Sequence, residues 1–182
     1  MTVSSPDLAL VIDFVNTLDL EAGTDALATP AELDGWLRSR GLPGDGDPPA
    51  GPRQRAEAIE LREALRAVML AHNGAPANER SAGVLERVAQ RGALSVQFRS
   101  DGSVGLEPRA TGFPATLARL LVPVAAAAAD GTWERAKACR ADDCRWAFYD
   151  QSRNRSARWC DMAVCGNRTK VRAYRAKRGD RP

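Results

Sequence analysis

Histidine is almost missing from this sequence: His72 is the only one among 182 residues. That excludes a paired-histidine metal site. Neither a Gly-rich phosphate loop nor a nucleophile elbow occurs, so the usual signatures of nucleotide-binding and hydrolytic enzymes are absent and the chain reads as non-enzymatic. Long apolar runs are missing as well. The longest, residues 117–129, is interrupted by Arg119 and Pro123 and falls short of a membrane span, so no membrane partner is expected. Residues 1–13 lack the basic n-region and small-residue cleavage site of a signal peptide, which predicts a soluble cytoplasmic protein in a reducing compartment. A net charge of one sign is also small, +3 in all, but it is unevenly spread. Residues 132–182 carry fourteen Lys/Arg against six Asp/Glu, a net of +8, and residues 1–131 carry twelve against seventeen, a net of −5. An acidic body precedes a basic end.

Cysteine is scarce too, and its placement is informative. All four cysteines, Cys139, Cys144, Cys160 and Cys165, fall in two C-x4-C pairs separated by fifteen residues. Two short loops, each aiming two thiolates at a common point, are what a tetrahedral metal centre requires. The spacing points to one structural Zn2+ with four thiolate ligands; two disulfides, or a redox or iron–sulfur role, are the alternatives. Four thiolates fill the zinc shell and leave no position for a reactive water, so the metal's expected task is folding.

The residues around these pairs carry a resemblance. Cys165-Gly166-Asn167-Arg168, with Phe148-Tyr149-Asp150, Ser152-Arg153-Asn154, Trp159-Cys160, Lys170 and Arg172, resembles the CGNR zinc finger over about forty residues. Residues 8–19, with their Ile-Asp-Phe-Val-Asn-Thr-Leu core, resemble the start of the ABATE domain, which is described as a stress-induced transcription regulator. The resemblance implies a bacterial DNA-binding regulator. Two departures stand out: Arg145 follows the second cysteine where a small residue, often Gly, is expected, and Ala157 stands where a basic residue is commoner.

Along the chain, residues 8–18 have apolar positions at helical spacing, and the interspersed Asp13, Asn16 and Thr17 are candidates to line a ligand pocket for a small-molecule effector. Thr29-Pro30-Ala31-Glu32 is a capping box, and Gly41 ends the helix that follows. Residues 42–52 are Pro/Gly-rich loop. Residues 53–72 repeat Ile59, Leu61, Ala64, Leu65, Val68 and Met69 at the helical period, with an Arg/Glu face expected to be solvated. His72, at the end of this helix, reads as a terminal cation or surface residue in preference to a general base. A third helix is expected between the Asn78 cap and Gly92. Alternation in 94–99, a turn at 100–103 and a return over 104–107 predict a β-hairpin. Pro114 opens a last body helix through Ala129 that Pro123 should kink or break, and Thr132 is expected to cap a short helix over 133–138. The joint between body and finger is short and not Gly/Ser-rich, so packing between the two is expected.

Ten Lys/Arg and two acids lie between 145 and 178, together with Trp146, Phe148, Tyr149, Trp159 and Tyr174. The candidate nucleic-acid residues are Arg153, Asn154, Arg155 and Arg158 between the cysteine pairs, and Asn167, Arg168, Lys170, Arg172, Arg175, Lys177 and Arg178 on a helix after Cys165. Two other uses compete. Asn167 or Arg168 would serve to neutralise and cap a zinc tetrathiolate, and the aromatics would form a small core over the metal. The expectation is a mainly α protein: residues 1–131 a helical ABATE-like domain with one β-hairpin, residues 132–182 a small treble-clef-like finger of a β-hairpin and a helix. DNA is the expected partner and transcription regulation the expected role. An RNA-binding or protein-interaction module, a homodimer, and a small-molecule-binding or enzymatic body with a scaffold finger are the alternatives.

Overall fold

The computed structural model describes residues 6–179. The first helix, α1 (Pro6–Val15), inserts Leu8, Val11, Phe14 and Val15 into the core. Beyond it the two-residue strands β1 (Leu18–Asp19) and β2 (Thr24–Asp25) pair antiparallel. Helix α2 (Pro30–Arg38) begins at a complete capping box: the Thr29 hydroxyl accepts from the Glu32 amide, and the Glu32 carboxylate accepts from the Thr29 amide at 2.7 Å. Helix α3 (Pro52–His72), of 21 residues, is the spine of the body. Helix α4 (Glu79–Arg91) starts at the Asn78 cap, as the sequence predicts.

The hairpin β3 (Leu94–Phe98) and β4 (Val104–Pro108) pairs in register from Leu94 with Pro108 to Phe98 with Val104. Gly92 at its entrance is required by contact: a Cβ there would lie 2.1 Å from the Cβ of Ala118. The long apolar segment is two helices, α5 (Gly112–Arg119) and α6 (Val122–Ala129), with Pro123 in the first turn of the second. Among the described residues one stretch, Gly112–Ala129, has the length and composition of a membrane span, and here it is these two short helices packed in the body.

Residues 133–138 depart from the expected helix. Trp133–Arg135 make one 3-10 turn, and Ala136–Ala138 form strand β5, paired antiparallel with β6 (Ala147–Tyr149). The Thr132 hydroxyl is turned back onto Asp130, so it caps nothing ahead of it. The strand wins over helical propensity because Ala136 and Ala138 pack against α3 and join the same core cluster as Leu61, Leu65 and Met69. Residues on both sides of position 131 therefore share one core. A π-helical turn, Met162–Gly166, leads into α7 (Asn167–Gly179). The protein is mainly helical with short hairpins and a small hairpin-and-helix cysteine module, matching the fold class read from sequence.

Candidate metal centre and basic helix

The Sγ atoms of Cys139, Cys144, Cys160 and Cys165 all lie within 4.8 Å of one another. None is in a disulfide. Cys144 and Cys160 are 3.5 Å apart and Cys160 and Cys165 3.7 Å. Four bonds of zinc–sulfur length in a tetrahedron put the sulfurs about 3.8 Å apart, whereas a disulfide needs about 2.05 Å. The residues present thus fit one zinc ion held as a tetrathiolate. Burial, with Cys139 and Cys165 adding to it, pushes the Cys144 thiol up to about 12, and burial and the other three thiols raise Cys160 as well. Without a cation these groups stay protonated; a divalent ion reverses that balance and displaces their protons.

Each ligand is positioned by its own piece of chain. Cys139 follows β5 and donates its amide to the Trp146 carbonyl at 2.9 Å. Cys144 ends a turn closed onto Ala141. The Asp161 carboxylate caps the π-helical turn by accepting from the Val164 amide at 3.0 Å, which sets Cys165. Gly166 permits the close approach there, since a Cβ would meet Met162 Sδ at 2.4 Å. Arg145 stands in the left-handed region, φ 52°, which accounts for the expectation of a small residue at this place.

The finger is bolted to the body by side chains that the sequence did not single out for this work. The Asn73 amide, buried at the end of α3, donates to the Ala138 carbonyl at 2.8 Å and the Arg158 carbonyl at 2.9 Å. His72, expected as a helix-terminal cation or a surface residue, ends α3 and is half-buried: Nδ1 bonds the Ala136 carbonyl at 2.9 Å, and its ring meets Trp133 edge-on. Arg62 and Arg66, on the face of α3 expected to be solvated, are 2% and 3% exposed. Arg62 pairs with Asp25 at 2.7 Å, and Arg66 donates to the carbonyls of Val15 and Arg145. Inside the finger, the Lys137 ammonium contacts the Asp150 carboxylate at 2.7 Å, both buried, and donates to the Arg155 carbonyl. Burial works to raise the Asp150 pKa, but the hydrogen bonds from Lys137 and Ser152 outweigh it and hold the carboxyl below its usual range. The sequence clue to Lys137 was a lone charge between two alanines of a strand.

The pocket candidates separate. Asp13 is largely exposed. Asn16 spends its carboxamide on the finger, donating to the Ala147 carbonyl at 2.9 Å and accepting from the Ala147 amide at 2.7 Å. The Thr17 hydroxyl is used by the Phe14 carbonyl and Arg62. Asn16 and Thr17 are thus structural, although both border the cleft beside Asp13.

The nucleic-acid candidates separate as well. Arg168 turns inward: it pairs with Glu21 of the β1–β2 loop at 2.9 Å, lies 3.4 Å from Asp143, and donates to the Cys165 sulfur at 3.5 Å. The Glu21 carboxylate raises its pKa further. Arg172 pairs with Asp143 at 2.8 Å and holds that carboxyl below its usual range. Asn167 donates to the Ala163 carbonyl, and Arg155 lies 3.5 Å from Glu134. Arg168 and Asn167 are therefore built into the metal loop. Arg178 stacks near Tyr174. Arg153, Asn154, Arg158, Lys170 and Arg175 are exposed, with no side-chain partner among the described residues. The Lys177 side chain lies outside the described ones. Phe148 and Tyr149 are buried, and Trp146 and Trp159 pack on the cysteine cluster, so these aromatics are core.

Residues 135–178 match the family model described as "CGNR zinc finger", and residues 8–131 match "ABATE: Putative stress-induced transcription regulator". No curated protein matches the chain. With two thirds of its length matched by the one model, and four cysteine sulfurs gathered within the residues matched by the other, this chain belongs to the ABATE family and carries a CGNR zinc finger.

Proposed function

We propose that the protein is a non-enzymatic regulator that binds duplex DNA through α7 and the loop between the cysteine pairs. The observation that carries this reading is the exposure of α7: every described side chain from Lys170 onward is exposed, and the helix packs chiefly on the π-helical turn at its base. Thirteen residues are too few for a stable free helix in water, so most of its stability must come from its anchored first turn and from whatever it binds. That first turn is clamped by Cys165 and by Arg168 bridging to Glu21 and Asp143. Lys170, Arg175 and Arg178 then project with no acidic partner among the described residues, and Arg153 and Arg158 add charge from the neighbouring loop. The surplus of +8 in residues 132–182 exceeds what a −2 tetrathiolate needs. Duplex DNA is favoured over single strands because Trp146, Phe148, Tyr149 and Trp159 are buried or packed over the metal, and the exposed Tyr174 already carries Arg178 beside its ring. The four thiolates leave no open metal position for chemistry.

The test is fluorescence anisotropy of the zinc-loaded protein on duplex DNA across a salt series. With about four phosphate contacts, log K should fall against log [salt] with a slope of roughly −3.6. Arg175→Ala should reduce the slope by about 1 without changing stability. Arg168→Ala should instead loosen the finger and lower the unfolding temperature. A flat salt dependence refutes the reading.

A further inference from the structure

Two open clefts meet at the seam between body and finger. One, of about 610 Å³, runs between Trp36 and Trp146. The other, of about 400 Å³, continues past Trp146 along Ile12 and Phe148. Asp13, Asn16 and Trp146 line both. Most polar groups here are already committed. Asn16 is spent on Ala147, Asp25 on Arg62, and Asp19 accepts from the amides of Glu21 and Ala22. Asp13 is different: its side chain is 60% exposed, and its charged neighbour among the described residues is Arg40, at 4.0 Å.

A cation already occupies part of this space. The Arg40 guanidinium lies 4.1 Å above the Trp36 ring and leans toward Asp13. An indole face and a carboxylate on either side of a positive charge are the groups by which organic cations are recognised, since the ring quadrupole and the carboxylate attract the same sign. Trp146 presents a second indole to the cleft, and Ile12 and Phe148 offer apolar wall beyond it.

We propose that this seam cleft binds an organic cation with an aromatic or aliphatic body, its charge against Asp13 and its body against Trp146, in space that Arg40 partly fills. The assignment does not depend on what the finger binds. Its placement gives it a mechanical consequence. The Trp146 carbonyl accepts the Cys139 amide, and the next residue, Ala147, is the one clamped by Asn16. A ligand seated on Trp146 therefore presses on the joint between a zinc ligand and the body.

The test is calorimetric titration of the full-length zinc-loaded protein with benzamidine, alongside its neutral and anionic counterparts benzamide and benzoate. Benzamidine should bind one site saturably, benzamide at least tenfold more weakly, and benzoate not at all. Asp13→Asn should weaken benzamidine tenfold or more, and Arg40→Ala, which removes the internal competitor, should strengthen it severalfold. The Asp13 side chain is largely exposed, so Asp13→Asn should retain zinc and the native unfolding temperature, and Arg40→Ala, which removes a contact with Trp36, should retain zinc. The three-ligand comparison on the unaltered protein decides the matter even if a variant misfolds. Absence of saturation by benzamidine, equal binding of benzamide, or undiminished affinity in Asp13→Asn overturns the proposal.

Discussion

Replacing Asp150 by Asn tests the claim that a buried ion pair, and not the metal alone, holds the finger's loop in shape. Asp150 is 1% exposed and Lys137 5%. Its carboxylate accepts from the Lys137 ammonium at 2.7 Å, the Ser152 amide at 2.9 Å and the Ala157 amide at 3.0 Å. The substitution keeps the shape but leaves an ammonium buried beside a neutral amide that turns an N–H donor into a cluster of donors. Breaking one partner of a buried pair costs about 3–5 kcal/mol. In a protein of this size that lowers the unfolding midpoint by about 6–20 °C, at about 2–4 °C per kcal/mol. The assay is thermal and urea unfolding at saturating zinc. Lys137→Met should cost a similar amount, and the double variant Lys137→Met/Asp150→Leu should regain only part of the loss, because it leaves neither charge uncompensated but strips the Ser152 and Ala157 amides of their acceptor. The pH dependence has a definite sign. The folded Asp150 pKa is held below its unfolded value, so the pair's contribution is fully present above about pH 4 and is lost as pH falls through the lower folded value. The stability gap between wild type and Asp150→Asn should close in that acidic window and nowhere above it. A cost under about 1 kcal/mol at neutral pH, or a gap that persists through the acid range, refutes the reasoning.

Elemental analysis should find one zinc per chain, and loading should release protons from thiols that burial holds protonated, so that apparent zinc affinity weakens as pH falls. Proton release below one per zinc sinks the tetrathiolate. Chelation should destabilise the body as well as the finger, because β5 and β6 sit in the body core; a body melting transition insensitive to chelator would contradict that packing. Arg145→Gly should stabilise the protein by about 0.5–1 kcal/mol, since relief of a left-handed φ exceeds the added chain entropy, as urea unfolding would register. Gly92→Ala should destabilise by about 1–3 kcal/mol through the clash with Ala118, and a neutral result would show that α5 can shift away.

Local chemistry made much of this molecule legible in advance. The Thr29–Glu32 box, the apolar period of α3, the Asn78 cap and the β3–β4 alternation all act within a few residues, so the chain itself carries the signal. Paired C-x4-C spacing did the same for the four ligands. Residues 133–138 were misread because Ala-rich sequence favours helix until α3 and β6 are in place to receive a strand. The roles of Asn16, His72 and Asn73 had no local signature. Their partners are Ala147, Ala136 and Ala138, separated by 131, 64 and 65 residues, and those partners are backbone atoms, identical in every residue type. The basic helix shows the division most clearly. Its composition determined that positive charge would gather at this end of the chain. Only the folded arrangement, by bringing Glu21 and Asp143 beside the first turn, decided that Arg168 and Arg172 grip the molecule and that Lys170 and Arg175 face outward. A charge's use depends on which opposite charge comes within a few ångströms, and that distance exists only after the chain has closed.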